Sequence, residues 1–442
     1  MKKIFVFLAF AVWVLSGCKK ENDRAFEQTP EERVLATLNS FQKQLQEAQF
    51  GWKAVLRTDS GKGAAYGFYF RFNDENRVEM FSDFSGETAT VPKESSYRLK
   101  ALQQVSLLFD TYSYIHLLAD PDPDVAGGEL GAGFGVDFEF FMDKELSSTD
   151  SIKLVGRKKG SEGWLVRATQ AEMNAYYGGD LGDAIAFENI NSYANYFKRV
   201  TIDGVEYDVK VNGRTITLTW LEGGVEKTFT TGYYYTVNGL VFTTPFTNGA
   251  TSFQGLGQIT WDPATPLLTF RPTGSSSTVS VVGSGRPLLP DPTAWARFRQ
   301  MAIDEDTYWA TVEGFRINGV TDAYNIQNLT SLGLPYYYTI FFPGYTTTYD
   351  LFAPLFLNTA TNSVALHYGA AFNRTATVAA DGRARWNLLG TLGTFPTSGP
   401  FYNTTILSAS AGGYYFVQTG ENTFDMVSAS DGKAWISWEL VL

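Results

Sequence analysis

Hydrophobic and polar residues alternate along most of this chain. Tyr66, Phe68, Phe70 and Phe72 occupy every second position of one segment, and the alternation resumes at Val78 after a polar turn. Similar segments follow further along the sequence. A period of two residues is typical of β-strands, because successive side chains point to opposite faces of a sheet. The pattern therefore predicts strands over much of the chain.

Turn signals separate the alternating segments. Asn212-Gly213 lies in the middle of the segment 209–220, and this dipeptide favours the tight turn of a β-hairpin. Asp381-Gly382 and Asp431-Gly432 predict two further hairpins. Strands that are joined by short turns form antiparallel sheets. We therefore predict a mostly β fold of antiparallel β-sandwich or barrel domains, with two or three short helices.

Three segments depart from this pattern and predict the helices. Thr29 and Glu32 form a capping box around Pro30, and apolar residues at helical spacing follow to about Gln49. Those apolar residues are Val34, Leu35, Leu38, Phe41 and Leu45. Asp291-Pro292 predicts the start of a second helix, and a weaker helical pattern runs from 184 to 197.

The first residues have the pattern of a secretory signal. Lys2 and Lys3 precede an apolar run at 4–14, which is shorter than the ~20 residues that a membrane span needs. Residues 15–18 (LSGC) resemble the bacterial lipobox, whose cysteine is acylated. We predict a lipoprotein signal peptide over 1–18 and a lipid anchor on Cys18. The alternative is an ordinary signal peptide with a chance cysteine.

A short polar segment follows Cys18. Residues 19–23 (KKEND) combine a lysine pair with acidic and polar residues. They resemble the signal that sends Bacteroidetes lipoproteins to the outer surface of the outer membrane. We predict a tether over 19–28 and a lipid-anchored location in the outer membrane, at the cell surface. An anchor that faces the periplasm is the alternative.

Composition narrows the class of protein and its partners. Of the 442 residues, 44% are hydrophobic and 18% are charged, which is typical of a folded chain. We predict an N-terminal β-rich domain over 29–175, a middle β segment over 176–290 and a C-terminal β domain over 291–442, with a serine- and glycine-rich linker at 275–286. The net charge of −11 argues against nucleic acid as a partner, since phosphate binding needs a basic surface.

Catalytic motifs are scarce in this sequence. The only histidines are His116 and His367, and neither has the spacing of a metal ligand. His116 lies in an apolar run (YIHLL, 114–118) that predicts a strand. Cys18 is the only cysteine, so a chain lipidated there has no thiol for catalysis. We expect no enzymatic activity; a pair of carboxylates in a cleft, as in a glycosidase, is the alternative.

One acidic motif predicts a metal site. Asp120, Asp122 and Asp124 offer three carboxylates at every second position, and carboxylate oxygens are the ligands that calcium prefers. Val125 stands where an EF-hand loop requires glycine. A solvated acidic loop is therefore the alternative to a calcium site, and we expect no other cofactor.

Aromatic clusters provide the candidate ligand-binding residues. Tyr233 and Tyr235 flank a third tyrosine, and Trp435 precedes Trp438 in a segment that predicts a strand. Because side chains alternate along a strand, the two tryptophans are expected on opposite faces of the sheet. Sugar rings stack on exposed aromatic rings, so these four residues are predicted to contact a glycan. Core packing is the alternative.

Several motifs resemble those of a known family. They are Gly51-Trp52, FRFNDENRV at 70–78, SSYRL at 95–99, LFDTY at 108–112 and LVGRKK at 154–159. Together they resemble the Bacteroidetes lipoproteins with domain of unknown function 4302 (DUF4302), over residues 18–175 and more faintly to about 270. Genes of that family tend to lie beside outer-membrane nutrient importers, their capture lipoproteins and a zinc metallohydrolase lipoprotein.

The resemblance implies a role in nutrient capture and assigns no residue a role. We expect a non-catalytic outer-membrane lipoprotein that assists an importer and its capture lipoprotein in taking up a glycan or glycopeptide. A structural or scaffold lipoprotein of the importer complex is one alternative. A carboxylate-based glycoside hydrolase is the other.

Overall fold

The computed structural model describes residues 29–58, 64–101 and 104–442, and this part of the chain is mostly β. Its paired strands are antiparallel and form a closed barrel followed by two further sheets. These observations confirm the predicted fold class. Helices are more numerous than the two or three that the sequence predicts.

The barrel occupies residues 52–167. In the described part of this range, eight strands follow one another in chain order, and the first pairs with the last, Trp52 opposite Arg167. Large apolar side chains such as Phe68 and Phe70 fill the interior. The strands are β1 (Trp52–Arg57), β2 (Ala65–Phe72), β3 (Arg77–Ser82), β4 (Lys93–Ala101), β5 (Val105–Phe109), β6 (Glu139–Asp143), β7 (Ser151–Gly156) and β8 (Glu162–Arg167).

Helix α1 (Pro30–Gln46) packs against one end of the barrel interior. The predicted capping box is present, because the Thr29 hydroxyl accepts from Glu32 N and the Glu32 carboxylate accepts from Thr29 N. Phe41 and Leu45 are buried in the barrel core. Leu35 is 53% exposed, so the apolar face is narrower than predicted.

Three short helices connect barrel strands: α2 (Gly86–Thr90), α3 (Tyr114–Leu117) and α4 (Pro123–Ala126). His116 lies in α3, so the strand predicted for this run is wrong. The His116 ring ties the turn together, because Nδ1 accepts from Ser113 N and Nε2 lies 3.2 Å from Phe109 O. Local hydrogen bonds of this kind favour a helical turn over an extended strand.

Residues 197–284, all of them described, form a nine-stranded sheet. Helices α5 (Gln170–Gly178) and α6 (Asp180–Ile185) and the 3₁₀ helix Ala186–Ser192 cover its apolar face. The helix predicted over 184–197 therefore starts earlier and ends before Phe197. The strands are β9 (Phe197–Ile202), β10 (Val205–Asn212), β11 (Thr215–Glu222), β12 (Val225–Thr236), β13 (Gly239–Asn248), β14 (Thr251–Asp262), β15 (Leu267–Pro272), β16 (Val279–Ser280) and β17 (Val282–Ser284).

The segment 275–286 contains strands rather than a plain linker. β16 pairs with β15 and β17 pairs with β9, so this segment lies at both edges of the sheet. Val279 and Val281 are buried in its core. The valines explain the error, because their burial stabilises short strands within a serine- and glycine-rich composition.

The barrel and the nine-stranded sheet share a hydrophobic core. Tyr69 and Phe81 lie on the outer side of the barrel and belong to the core of the sheet. The Tyr69 ring stacks on Tyr176 of α5, with 4.7 Å between the ring centroids. β2 and β12 also contact each other directly. The predicted boundary at 175 thus lies inside a continuous packed region, and the division into domains stays a prediction.

The C-terminal sheet has thirteen strands within residues 309–440, all of which the structure describes. Helix α7 (Ala294–Asp304) packs Trp295 and Phe298 into its core, and α8 (Pro400–Ser408) adds Phe401. α7 starts three residues after the predicted Asp291. The strands are β18 (Trp309–Thr311), β19 (Arg316–Ile317), β20 (Thr330–Ser331), β21 (Leu334–Phe342), β22 (Tyr349–Asn358), β23 (Ser363–Ala365), β24 (Tyr368–Asn373), β25 (Thr377–Val378), β26 (Ala384–Arg385), β27 (Leu388–Gly393), β28 (Tyr414–Gly420), β29 (Thr423–Ser428) and β30 (Ala434–Leu440).

The predicted hairpins at 212–213, 381–382 and 431–432 are confirmed, because β10 pairs with β11, β25 with β26 and β29 with β30. Among the described residues, no helix has the length and apolar character that crossing a membrane requires.

Candidate functional site

Tyr233 and Tyr235 lie in the core rather than on a surface. Both are fully buried, and their hydroxyls donate to Glu188 Oε1 over 3.0 and 2.8 Å. Burial and the Glu188 carboxylate raise the pKa of each phenol. The two residues share a face of β12, and that face is the one the helices cover. The prediction that these two tyrosines contact a glycan is therefore wrong, because neither ring is accessible to a ligand.

The two tryptophans of β30 face opposite sides, as predicted. Trp438 is buried in the core of the C-terminal sheet. Trp435 is partly exposed and lies on the outer face of the same sheet. Only Trp435 of the pair can thus contact a ligand, and the binding role predicted for Trp438 is corrected.

The aspartates at 120–124 serve the local backbone instead of gathering around a cation. Asp120 accepts from Asp122 N, and Asp122 caps α4 by accepting from Asp124 N, each over 3.0 Å. Asp120 also accepts from the Tyr112 hydroxyl, and these bonds lower the pKa of its carboxyl. In the part of the chain that the structure describes, no three acidic, histidine or cysteine side chains form a group that could hold a metal ion. The predicted calcium site is corrected accordingly.

Cys18 and His367 are the remaining residues that the sequence analysis singles out. Cys18, the signal peptide and the tether at 19–28 lie outside the described residues, so the lipid anchor stays a prediction. His367 stacks on Phe356, with 5.2 Å between the ring centroids, and its Nδ1 lies 2.9 Å from Ser331 Oγ.

A cleft of about 500 Å³ lies between the outer faces of the nine-stranded and C-terminal sheets. Its floor is the outer face of β10 and β11, which presents Asp208, Lys210, Thr217 and Thr219. The residues between them in sequence point into the core, as at Leu218. Strand alternation therefore makes this floor polar, as expected where one face of an antiparallel sheet packs inward.

The opposite wall is aromatic. Tyr415, Val417, Asp425 and Trp435 line it from the outer face of β28, β29 and β30. Tyr196 joins this wall from the segment before β9, and its ring meets Trp435 near a right angle with 5.5 Å between the centroids. Amphipathic rings beside polar groups are typical of small-molecule sites.

A partly buried hydrogen bond fixes Tyr196 in the wall. Its hydroxyl donates to Asp425 Oδ2 over 2.6 Å. Burial and the Asp425 carboxylate hold the pKa of Tyr196 well above its ordinary value. The hydroxyl therefore stays protonated and remains a donor, which positions the ring against Trp435.

Positive charge collects at this end of the cleft. Burial, together with repulsion by Arg316 and Lys210, lowers the pKa of Lys198 to about 8. The Arg316 guanidinium lies over the Trp435 ring, 5.4 Å from the centroid, and its buried Nε has no acceptor. Lys198 and Lys210 line the cleft together with Trp435, and within the described residues neither they nor Arg316 form an ion pair with a carboxylate.

Three of the four acidic residues that line the cleft already bind a neighbouring side chain. Asp208 accepts from Arg199 Nε over 2.8 Å, and Asp291 forms an ion pair with Arg297 over 2.8 Å. Asp425 accepts from Tyr196 as described above. Glu226, at the rim, is exposed.

A larger cavity of about 1510 Å³ adjoins the barrel end of the same floor. Lys210, Arg214 and Thr217 line it from β10, the turn and β11. The glycine-rich segment 127–135 and Lys158, both from the barrel, face them across the cavity.

The wall of this cavity contains a buried ion pair. Arg214 Nη1 lies 3.3 Å from Asp83 Oδ2, and the same oxygen accepts from Tyr235 N over 2.8 Å. The guanidinium also lies 5.0 Å from the Tyr66 ring centroid and 4.9 Å from that of Tyr235. Burial raises the pKa of the Asp83 carboxyl, and Arg214 opposes that rise. This cluster joins the barrel to the nine-stranded sheet.

A family comparison bears on the whole N-terminal region. The sequence profile of the family described as a domain of unknown function (DUF4302) matches residues 22–263, which is more than half of the chain. The chain belongs to the DUF4302 family. The match covers the barrel and most of the nine-stranded sheet of this DUF4302 protein, and it ends before the C-terminal sheet that carries Trp435. No curated protein matches the chain.

Solved structures with some likeness include bacterial DNA polymerase III beta subunits and a DNA polymerase sliding clamp. They include the DNA polymerase III beta chain from Streptococcus pneumoniae (10% identity, TM-score 0.16, 93% of this chain and 98% of the other). The DNA polymerase III beta subunit from Thermotoga maritima is 6% identical, with a TM-score of 0.15 over 93% and 97% of the two chains. The sliding clamp from Bacillus subtilis is 9% identical, with a TM-score of 0.17 over 93% and 97%. Such low TM-scores support neither a shared fold nor a shared function.

Proposed function

We propose that this DUF4302 protein captures glycans in the cleft at Trp435, without catalysing a reaction. One observation carries the proposal. A partly exposed tryptophan, positioned by Tyr196, faces a polar floor of threonine hydroxyls and lysine across a cleft of about 500 Å³. The apolar face of a sugar ring would pack on the aromatic wall, while its hydroxyls would bond to the floor.

The cellular setting of the proposal rests on the sequence. The lipobox at Cys18 and the family resemblance support a lipid-anchored outer-membrane protein, at the cell surface, that works beside a nutrient importer and its capture lipoprotein. An anchored binding protein raises the local concentration of a dilute nutrient near the importer by adding a second binding site. The geometry offers less support for a hydrolase, because each of the three carboxylates is already bound to a neighbouring side chain. They belong to Asp208, Asp291 and Asp425.

Calorimetry with a broad set of glycans tests the proposal on the purified full-length protein. We expect a dissociation constant in the micromolar to millimolar range, which corresponds to ~4 to 8 kcal/mol. Trp435→Ala should weaken binding by roughly 1 to 3 kcal/mol, the value of burying one aromatic face. Trp164→Ala is the matched control, because Trp164 is an exposed tryptophan (38%) of the barrel strand β8.

Two outcomes would contradict the proposal. If no glycan produces heat, the scaffold function replaces glycan capture. If Trp164→Ala and Trp435→Ala weaken binding equally, the ligand does not occupy the cleft between the two sheets.

A further inference from the structure

The two cavities share one floor. Lys210 and Thr217 line both of them. These residues are directly opposite each other in β10 and β11, and Thr217 is opposite Thr230 in β12. The hydroxyl oxygens of Thr217 and Thr230 lie 3.0 Å apart. The outer face of the sheet therefore continues without interruption from the Trp435 wall to the barrel loops.

The floor is long enough to contact more than one sugar ring. β10 contributes Asp208 and Lys210 at the Trp435 end, and Lys210 and Asn212 at the barrel end. At 3.3 Å per residue, the span from Asp208 to Asn212 alone is about 13 Å. The walls at both ends extend the groove beyond it.

Three lysines lie along this floor. Lys198 lies at the Trp435 end, Lys210 in the middle and Lys158 at the barrel end. Within the described ranges, none of these three ammonium groups forms an ion pair with a carboxylate. The acidic residues differ, because Asp208 and Asp425 in one cavity and Glu188 in the other already accept hydrogen bonds. Asp291 in the first cavity pairs with Arg297, so the exposed Glu129 and Glu226 are the remaining acids of the two linings.

We propose that the two cavities form one groove for an acidic oligosaccharide, a chain of sugars bearing carboxylate or sulfate groups. This inference rests on the proposed glycan capture and names its ligand class. The chain lies along the threonine hydroxyls, one sugar packs on the Trp435 wall, and anionic groups pair with Lys210 and Lys158. A protein with a net charge of −11 would otherwise repel such a ligand, so an unpaired row of lysines gives the groove its selectivity.

Three matched ligands test the inference by calorimetry on the full-length protein. An oligogalacturonate carries carboxylates, its methyl ester has the same backbone without charge, and a sulfated oligosaccharide carries the other anionic group. We expect the methyl ester to bind at least about fivefold more weakly than the free acid, since ion pairs of this kind contribute up to ~1 kcal/mol each. Raising the salt concentration should weaken binding of the charged ligands alone.

Variants of single lysines show which of them bind the anionic groups of the ligand. Lys210→Gln and Lys158→Gln should each raise the dissociation constant of the acidic ligand by about threefold to fivefold. Lys43→Gln is the control, because Lys43 is an exposed lysine of α1 that lines neither cavity. Each variant should keep the thermal stability of the parent protein, which separates lost binding from lost folding.

The outcomes are distinguishable. Preference for the free acid or for the sulfated ligand supports the inference and identifies the anionic group. Equal binding of the acid and its methyl ester overturns the inference and leaves glycan capture intact. An effect of Lys210→Gln without one of Lys158→Gln overturns the continuous groove, since the ligand then ends before the barrel. Absence of binding by any glycan overturns the inference and the proposed function together.

Discussion

Removal of the Arg214 guanidinium provides a sharp test of the junction between the barrel and the nine-stranded sheet. Asp83 is fully buried, and Arg214 is the cation that it contacts, 3.3 Å away. Arg214→Met keeps an unbranched apolar side chain between Tyr66 and Tyr235 and removes the charge. Asp83 is then left as a buried carboxylate with backbone donors only.

The expected loss of stability is large. Breaking a buried ion pair by removing one partner costs about 3–5 kcal/mol, because the remaining charge stays desolvated. The cation–π contacts with Tyr66 and Tyr235 are lost as well. By contrast, Arg98→Met breaks an exposed pair with Asp110, whose side chains are 58% and 43% exposed, and should cost at most about 1 kcal/mol.

The deficit of Arg214→Met depends on pH. Burial already raises the Asp83 pKa, and loss of Arg214 raises it further, since Arg214 opposes the rise. The folded state then holds its proton at a pH where the unfolded carboxyl, with a pKa near 3.9, has lost it. Stability therefore falls as pH rises from the unfolded pKa to the folded one. The deficit should therefore be smallest near the unfolded pKa and should grow as pH rises.

Urea unfolding at several pH values measures this effect. The double variant Asp83→Asn with Arg214→Met should recover part of the loss, because it removes the buried charge. A loss below about 1 kcal/mol at neutral pH would refute the reasoning, since it would match the exposed Arg98 pair. A deficit that does not change with pH would show that lost packing, and not the Asp83 charge, explains the destabilisation.

Three further predictions concern single residues. Trp438→Ala should destabilise the fold by about 3–5 kcal/mol in urea unfolding, whereas Trp435→Ala should change stability little. Equal losses of stability would contradict the placement of the two tryptophans on opposite faces of the sheet. Cys18→Ala should abolish metabolic labelling with an alkyne fatty acid, and labelling equal to that of the parent would disprove the lipid anchor. Millimolar calcium should leave the melting temperature unchanged, while Asp122→Ala should cost about 1 kcal/mol as a lost helix cap; a calcium-dependent rise would restore the metal site.

Features set by local interactions could be predicted from the sequence. The capping box at Thr29 and the hairpin turn at Asn212-Gly213 depend on residues that are neighbours in the chain. Helix α8 shows where such reasoning fails. Thr404, Thr405 and Ser408 are buried there, and their hydroxyls donate to carbonyl groups of the preceding turn. The four buried positions have helical spacing, but three of them are polar and the apolar Ile406 is 48% exposed, so hydrophobicity along the sequence does not reveal this helix.

The candidate site depends on tertiary structure, and the sequence identifies only part of it. Alternation predicts that Tyr233 and Tyr235 share a face, but it does not say whether that face is covered. The helices α5 and α6 decide this, and they bury both rings. Lys198 gives no signal of its own, because a lysine at the start of a strand is usually solvated. Only its burial in the folded protein and the proximity of Arg316 make it distinctive.

The sequence predicts one part of the groove, the polar floor, and does not predict the other, the aromatic wall. The two-residue turn Gly213-Arg214 pairs Asn212 with Thr215 and thereby places Lys210 opposite Thr217, so the polar floor follows from the hairpin that the sequence predicts. A slip of one residue would turn Lys210 towards the core, because side chains alternate with a period of two. The aromatic wall comes from β28 to β30, far away in sequence, and no periodicity connects it to the floor. The ligand class thus follows from a juxtaposition that only the packing of the two sheets creates.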